Sequence, residues 1–376
     1  MKQVGDKKRI LHFIGGGELG GAEELLLSLM KLLDKEQYEV QLICLCQGPF
    51  AEMAARHGFK AEVILMRHKF DLNTIKPIRE YLLSNEIDLV HTHGVRANLV
   101  ARTAAFKEGL PVVTHFHSVL RYDYDSIYKA MMARFLTKTT NKYTNRFIAI
   151  SRAIKQEILA MGVPEQIIEV IHNGLDTSRY ARPRQAQETR RELGLAPDKP
   201  TVAMVARLHP VKGHKYFLQA ARKVLDQGIN AQFLIIGEGI YREAIENWIK
   251  DLGLEGQVIM PGYYSPIEDI YGVMDLLCVP SLMEGLGMVV LEAMYFQVPV
   301  VASNIGGIQE IIRDQENGLL VEPGDTKGLA AAIIKLLRDP KLASQLSTKG
   351  EETLQYFSPQ RMARQVEDVY QALLLP

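Results

Sequence analysis

Thirteen short apolar runs, separated by stretches of helical periodicity, follow one another from end to end of this chain. They fall at 9–14, 39–46, 61–65, 88–93, 111–117, 146–151 and 168–171, then at 201–206, 232–236, 257–260, 276–280, 298–302 and 318–321. Alternation of this kind predicts α/β architecture, parallel sheets covered by helices on both faces. Thirteen strands exceed what one compact open sheet carries, and 376 residues suit two domains. The polar, proline-bearing stretch 178–200 reads as the join. The expected division is 1–180 and 181–357, with 358–376 a terminal amphipathic helix that no strand follows.

Composition narrows the function classes. Apolar residues make up 47%, charged residues 23%, and the net charge is zero, so no global field draws the chain to nucleic acid. The first half is mildly basic. Three cysteines, Cys44, Cys46 and Cys278, are too few for a disulfide framework and read as small buried hydrophobes. No run reaches the ~18 apolar residues of a membrane span. The basic start at Lys7-Lys8-Arg9 leads into too short an apolar stretch for a signal peptide. The expectation is a cytoplasmic protein.

The first strand-like run leads into Gly15-Gly16-Gly17-Glu18-Leu19-Gly20-Gly21 and then a helix. By the letter this contains G-x-G-x-x-G, yet the second strand ends Cys44-Leu45-Cys46-Gln47-Gly48, without the acid that holds a dinucleotide ribose. NAD is therefore set aside. A glycine turn at a helix N-terminus still offers bare N–H groups to an anion, with Gly20 and Gly21 best placed. A ligand-free flexible turn is the alternative.

Three features of the second half converge. Arg207 ends a strand and Lys212-Gly213 follows, two cations where doubly wound sheets bind ligands and a combination suited to a diphosphate. Ser281-Leu282-Met283-Glu284-Gly285-Leu286-Gly287 opens a helix that starts at Met288, a second anion-ready N-terminus. Glu284 and Glu292 place two carboxylates, good acceptors for sugar and ribose hydroxyls, along that terminus. Alone, each of these has a bland reading as solvated surface or chance spacing.

Taken together, Arg207 with Lys212-Gly213, Glu284-Gly-Leu-Gly through Leu291-Glu292-Ala293, Val298-Pro299-Val300, and Gly306-Gly307 with Glu310 resemble the signature of family 4 glycosyltransferases. Gly20-Gly21-Ala22-Glu23, the run from Pro111 to His117, Ile150-Ser151, 173–176 (Asn-Gly-Leu-Asp) and Gly237-Glu238-Gly239 agree with it. Tyr295 and Gln297 depart from the family's usual Ala and Gly. The resemblance implies a GT-B fold, two Rossmann-like doubly wound domains facing a cleft with the last helix crossing back to the first domain, and a retaining transferase. It implies that Arg207 and Lys212 clamp the diphosphate, that Gly21 and the amides of Leu286, Gly287 and Met288 add donors, and that Glu292 holds the ribose. Glu284 would hold the sugar, His117 would face that sugar, and Gly262 would lie near the base. UDP is the nucleotide that the family most often uses. No cofactor and no metal are expected.

Two metal-like patterns compete with that last expectation. Asp123-Tyr124-Asp125 spells D-x-D, but it precedes a helix and reads better as capping, by Asp or by Ser126. His91-x-His93 and His115-x-His117 each share a strand face, which makes zinc conceivable, yet no third ligand stands at a telling spacing. The stretch holding Arg121, Lys129, Arg134, Lys138, Lys142 and Arg146 also carries Tyr128, Met131, Met132, Phe135 and Leu136. It is either a basic amphipathic helix for peripheral contact with the inner membrane face, suiting a lipid-linked acceptor, or an ordinary helix with its apolar stripe in the core. A sugar-nucleotide epimerase and a non-catalytic nucleotide-sugar binding module are the alternative functions.

Overall fold

The structure, a computed structural model, describes residues 7–17, 20–68, 71–119, 121 and 126–374. It divides into two compact units, Met1–Gly174 with Ser358–Pro376, and Leu175–Phe357. The first holds β1 (Lys8–Ile14), β2 (Tyr38–Cys44), β3 (Lys60–Val63), β4 (Leu89–His93), β5 (Val112–Phe116), β6 (Arg146–Ala149) and β7 (Ile168–Val170). The second holds β8 (Thr201–Val205), β9 (Gln232–Ile236), β10 (Val258–Gly262), β11 (Leu276–Val279), β12 (Val300–Ser303) and β13 (Leu319–Val321).

The sheet orders are β3-β2-β1-β4-β5-β6-β7 and β10-β9-β8-β11-β12-β13, and the strand pairs are parallel. In each unit the order reverses beside the first strand, between β1 and β4 and between β8 and β11. That is where an open α/β sheet binds ligands, beyond the carboxyl ends of its strands. The strands can be nearly continuous apolar runs because helices cover both faces. Val202, Met204, Phe233 and Ile235 pack under Phe217, Leu218, Ala221 and Val224 of the helix His214–Asp226.

The division falls after Gly174, slightly ahead of the sequence-based boundary, because the expected linker is packed. The backbone N–H of Arg184 donates to Asp269 Oδ1 at 2.8 Å, and Arg190 donates to Thr201 Oγ1 and the Val273 carbonyl. The terminal helix Pro359–Leu374 starts at Ser358, whose Oγ accepts from the N–H of Arg361 at 3.2 Å. It buries Met362, Ala363, Val366, Val369 and Tyr370 against Ile10, Leu25, Leu29 and Val113.

The helix Ile127–Thr140 is packed the other way round from an ordinary amphipathic helix. Ala130, Ala133, Thr137 and Thr140 point inward, while Ile127, Tyr128, Met131, Met132 and Phe135 are exposed. The reason is the surface beneath it. Arg102 is fully buried there and donates to the Thr137 carbonyl, Thr140 Oγ1 and Asn141 Oδ1, so that face wants small and polar partners. Of the apolar stripe read from the sequence, Leu136 packs against the core, while Tyr128, Met131, Met132 and Phe135 face outward. Ser126 stands at the helix N-cap without a side-chain cap bond, and Asp123, Tyr124 and Asp125 lie outside the described residues. No described helix is long and apolar enough to cross a membrane.

Candidate functional site

In the second unit the site assembles from two loops at the switch point. Gly213 has φ 79, and a Cβ there would stand 2.0 Å from the Pro280 carbonyl oxygen. Only glycine lets the loop after β8 lie so close to the loop after β11. The Leu282 N–H donates to the Val211 carbonyl at 2.7 Å and ties the same loops. Lys212 Nζ consequently sits 2.7 Å from Glu284 Oε1, both side chains largely buried. Ser281 Oγ donates to that same Oε1 at 2.8 Å. Ser281 is itself buried, so it orients Glu284 rather than lining open surface.

Gly287, at φ 95, turns the chain into the helix Met288–Tyr295, and no side chain caps this N-terminus. Its first N–H groups therefore stay open to an anion, beside Gly285 and Leu286. Arg207 follows β8 and is exposed, and among the described residues its guanidinium has no partner. A free cation, a cation held by a carboxylate and an uncapped helix start are together suited to an anion.

Glu292, on the same helix, is more heavily engaged than the sequence suggested. Arg179 Nη2 lies 3.0 Å from its Oε1, the Tyr180 hydroxyl donates to Oε1 at 2.9 Å, and the Tyr271 hydroxyl donates to Oε2 at 2.7 Å. A carboxylate accepts about four hydrogen bonds, so about one direction remains for a ligand hydroxyl. Burial together with the Glu292 charge raises both tyrosines above their ordinary pKa. Gly262 ends β10, and its carbonyl accepts the Gly237 N–H at 2.9 Å, while Tyr263 beside it is exposed.

In the first unit Gly20 is the N-cap of the helix Gly21–Leu32, again with no side-chain cap. His117 follows β5 and borders a cavity of about 230 Å³ together with Gly15, Glu23, His93, Asn98 and His115. The register explains its company. His12 pairs with His91 across β1 and β4, and His93 pairs with His115 across β4 and β5. Side chains two apart share a face, so five histidines form one row. The third imidazole that sequence spacing did not reveal is His12. Donor atoms of His12, His91 and His93, and of His93, His115 and His117, lie within 4.8 Å of one another, close enough to be weighed as metal ligands. Burial drives the row toward the neutral form, His12 to about 3 and His117 to about 4.

Comparison with known proteins decides the family. Residues 19–179 match Glycosyltransferase Family 4, and residues 185–353 match Glycosyl transferases group 1. The chain is a family 4 glycosyltransferase. It is 26% identical to the UDP-Gal:alpha-D-GlcNAc-diphosphoundecaprenol alpha-1,3-galactosyltransferase of Escherichia coli, over 98% of each chain. It is 24% identical to the N-acetyl-alpha-D-glucosaminyl L-malate synthase of Bacillus anthracis, over 81% of this chain and 80% of that one. Its fold is GT-B: the crystal structure of Anabaena Alr3699/HepE in complex with UDP and glucose superposes with a TM-score of 0.83 at 25% identity, over 97% of this chain and 99% of that one.

The two departures of the transferase from the family pattern have physical accounts. Tyr180 meets Tyr295 at a tilt and Phe296 edge-on, and Phe296 stacks on Tyr271 at 5.0 Å, so the aromatics brace the hydroxyls that hold Glu292. Gln297 sits at φ 55, the left-handed conformation for which glycine is the easy residue, and its amide donates to Glu351 at 2.7 Å.

Proposed function

We propose that this transferase moves a hexosyl unit from a UDP-sugar to a lipid-linked acceptor with retention of anomeric configuration and without a metal. The observation that carries the reading is the Lys212–Glu284 pair set beside exposed Arg207 and the uncapped start of the helix Met288–Tyr295. The neighbour solved with UDP and glucose and the relative named for a UDP-Gal donor support the nucleotide. In this reading Arg207, Lys212 and the amides of Leu286, Gly287 and Met288 neutralise the departing diphosphate. Glu292 takes a ribose hydroxyl, Glu284 the sugar, and His117 contacts the sugar near the reacting carbon. The chemistry then rests on positioning and fixed charge, which protein cations and a helix N-terminus supply. Turnover of UDP-sugars is expected to survive EDTA, with an α-linked product from an α-linked donor. Activity abolished by EDTA and restored by a divalent ion would contradict the metal-free mechanism, and an inverted product the retaining one.

The acceptor side of the proposal draws on the helix Ile127–Thr140. Tyr128 is 81% exposed, Met131 63% and Phe135 62%, with Lys129 and Lys138 exposed among them. Apolar tips flanked by lysines match an anionic membrane surface. The relative named for a diphosphoundecaprenol acceptor supports the same reading. The protein is expected to float with phosphatidylglycerol-containing liposomes at low salt. The double substitution of Met131→Ser and Phe135→Ser should weaken binding more than tenfold, given roughly 1.5–3 kcal/mol per large apolar side chain. Absence of flotation at low salt would remove the membrane from the account.

A further inference from the structure

The histidine row of the first unit contains an unbroken hydrogen-bonded chain. His91 Nδ1 lies 2.6 Å from the Tyr370 hydroxyl, and that hydroxyl lies 3.4 Å from His12 Nε2. His12 Nδ1 is 3.1 Å from His93 Nε2, and His93 Nδ1 is 2.9 Å from His117 Nε2. His12, His91, His93 and Tyr370 are buried, and the free ends are His91 Nε2 and His117 Nδ1, neither of which has a partner. His115 stays outside the chain. It stacks on His117 at 4.3 Å and on His91 at 5.6 Å, and both its nitrogens are unpartnered.

Proton counting makes this chain all-or-none. A neutral imidazole carries one N–H and one bare nitrogen, and every link needs one proton. If His93 donates from Nδ1 to His117, its Nε2 must accept from His12 Nδ1–H. His12 Nε2 must then accept from Tyr370 O–H, and Tyr370 must accept from His91 Nδ1–H. This leaves His91 Nε2 bare and puts an N–H at His117 Nδ1. The reverse arrangement leaves a bare nitrogen at His117 and strands an N–H at His91 Nε2 in the core. A buried N–H without an acceptor is the rarer and more costly defect. The first arrangement moves that N–H to Nδ1 of His117, covered like His91 Nε2 but on a residue that lines the cavity, the side from which a ligand oxygen would approach.

We infer that His91, Tyr370, His12 and His93 are positioning residues that fix His117 as the Nδ1–H tautomer, a hydrogen-bond donor toward an oxygen of the transferred sugar. The inference rests on the proposed reading of His117 as a sugar contact. Glu23 is the carboxylate that borders the same cavity. The terminal helix has a functional part in this scheme, because its Tyr370 closes the link between His12 and His91.

The test is made on the whole protein with 15N-labelled histidine. Two-bond 1H–15N spectra at pH 7.5 are expected to show His117 protonated at Nδ1 and bare at Nε2, in the absence of any donor. Tyr370→Phe removes one oxygen and keeps the packing. It should turn the single His117 tautomer into a mixture and lower kcat about tenfold, the scale of one hydrogen bond, with KM for the donor unchanged. His117 protonated at Nε2, a tautomer that ignores Tyr370→Phe, or a stoichiometric transition metal in the purified protein would each overturn the chain. A fixed Nδ1–H tautomer in a protein that turns over no UDP-sugar would instead retire the transferase role of His117 and leave the chain standing.

Discussion

Replacing Lys212 by alanine should lower kcat with a UDP-sugar by about 10²–10³-fold, and Arg207→Ala should do the same, the usual effect of deleting one group that stabilises developing charge. The leaving diphosphate gains negative charge as the glycosidic bond breaks, and on the proposed reading the two cations and the helix start meet it. Lys212 has a second duty. It is ion-paired to Glu284 at 2.7 Å, and Ser281 is the other donor to that oxygen. Without Lys212, Glu284 keeps a single hydrogen bond and places an uncompensated carboxylate beside the diphosphate. Arg207→Ala removes charge alone, since its guanidinium braces nothing among the described residues. Donor KM should therefore rise more in Lys212→Ala than in Arg207→Ala. Steady-state kinetics checks this, and near wild-type rates in both variants would remove the site.

The second large effect is on stability. Burial lowers the pKa of five histidines of the first unit from the ordinary 6.5, His12 to about 3, His117 to about 4, and His91, His93 and His115 well below 6.5. Burial is the first cause for each, and the charges acting on them are those of the other histidines. A histidine with a lowered folded pKa binds its proton only on unfolding. Stability is therefore intact above pH 6.5 and falls as pH drops toward the folded values. At pH 5.5 each histidine costs roughly 1.4 kcal/mol, and five together about 7 kcal/mol, comparable with the whole stability of a typical domain. In the second unit His214 is lowered to about 4. Hydrogen exchange at pH 5.5 should thus show β4 and β5 losing protection while β8 and β9 keep theirs. A urea midpoint that does not move between pH 7.5 and pH 5.5 would contradict this.

The inner strands were legible because a strand buried on both faces is apolar throughout, and each of the thirteen runs overlaps a strand. Edges were less so. β10 runs on to Gly262 through a register shift after Ile259, which the glycine's φ of 94 permits and the apolar pattern does not announce. The helix Ile127–Thr140 shows why apolar residues do not always mean core. Its inward face is chosen by Arg102, 35 residues from Thr137, and no local period records that partner.

The placement of the candidate residues was legible, since Arg207, Lys212, Glu284 and His117 lie in the segments that follow strand ends, as their sequence positions predict. It was not legible where function depends on distant chain. Arg179 and Tyr180 reach Glu292 from 113 and 112 residues away. Tyr370 reaches His91 from 279 residues away. One signal did exist for His12. It sits at the same strand parity as the paired histidines of β4 and β5, and the strand order β1-β4-β5 turns that parity into a row.

The central claim is that a nucleoside diphosphate is held by the second unit at Arg207, Lys212 and the start of the helix Met288–Tyr295. Calorimetric titration of the full chain with UDP tests it most directly. One saturable site is expected in the wild type, weakened more than tenfold in both Arg207→Ala and Lys212→Ala and little changed in His117→Ala. No binding to the wild type, or equal affinity in all four proteins, would contradict it.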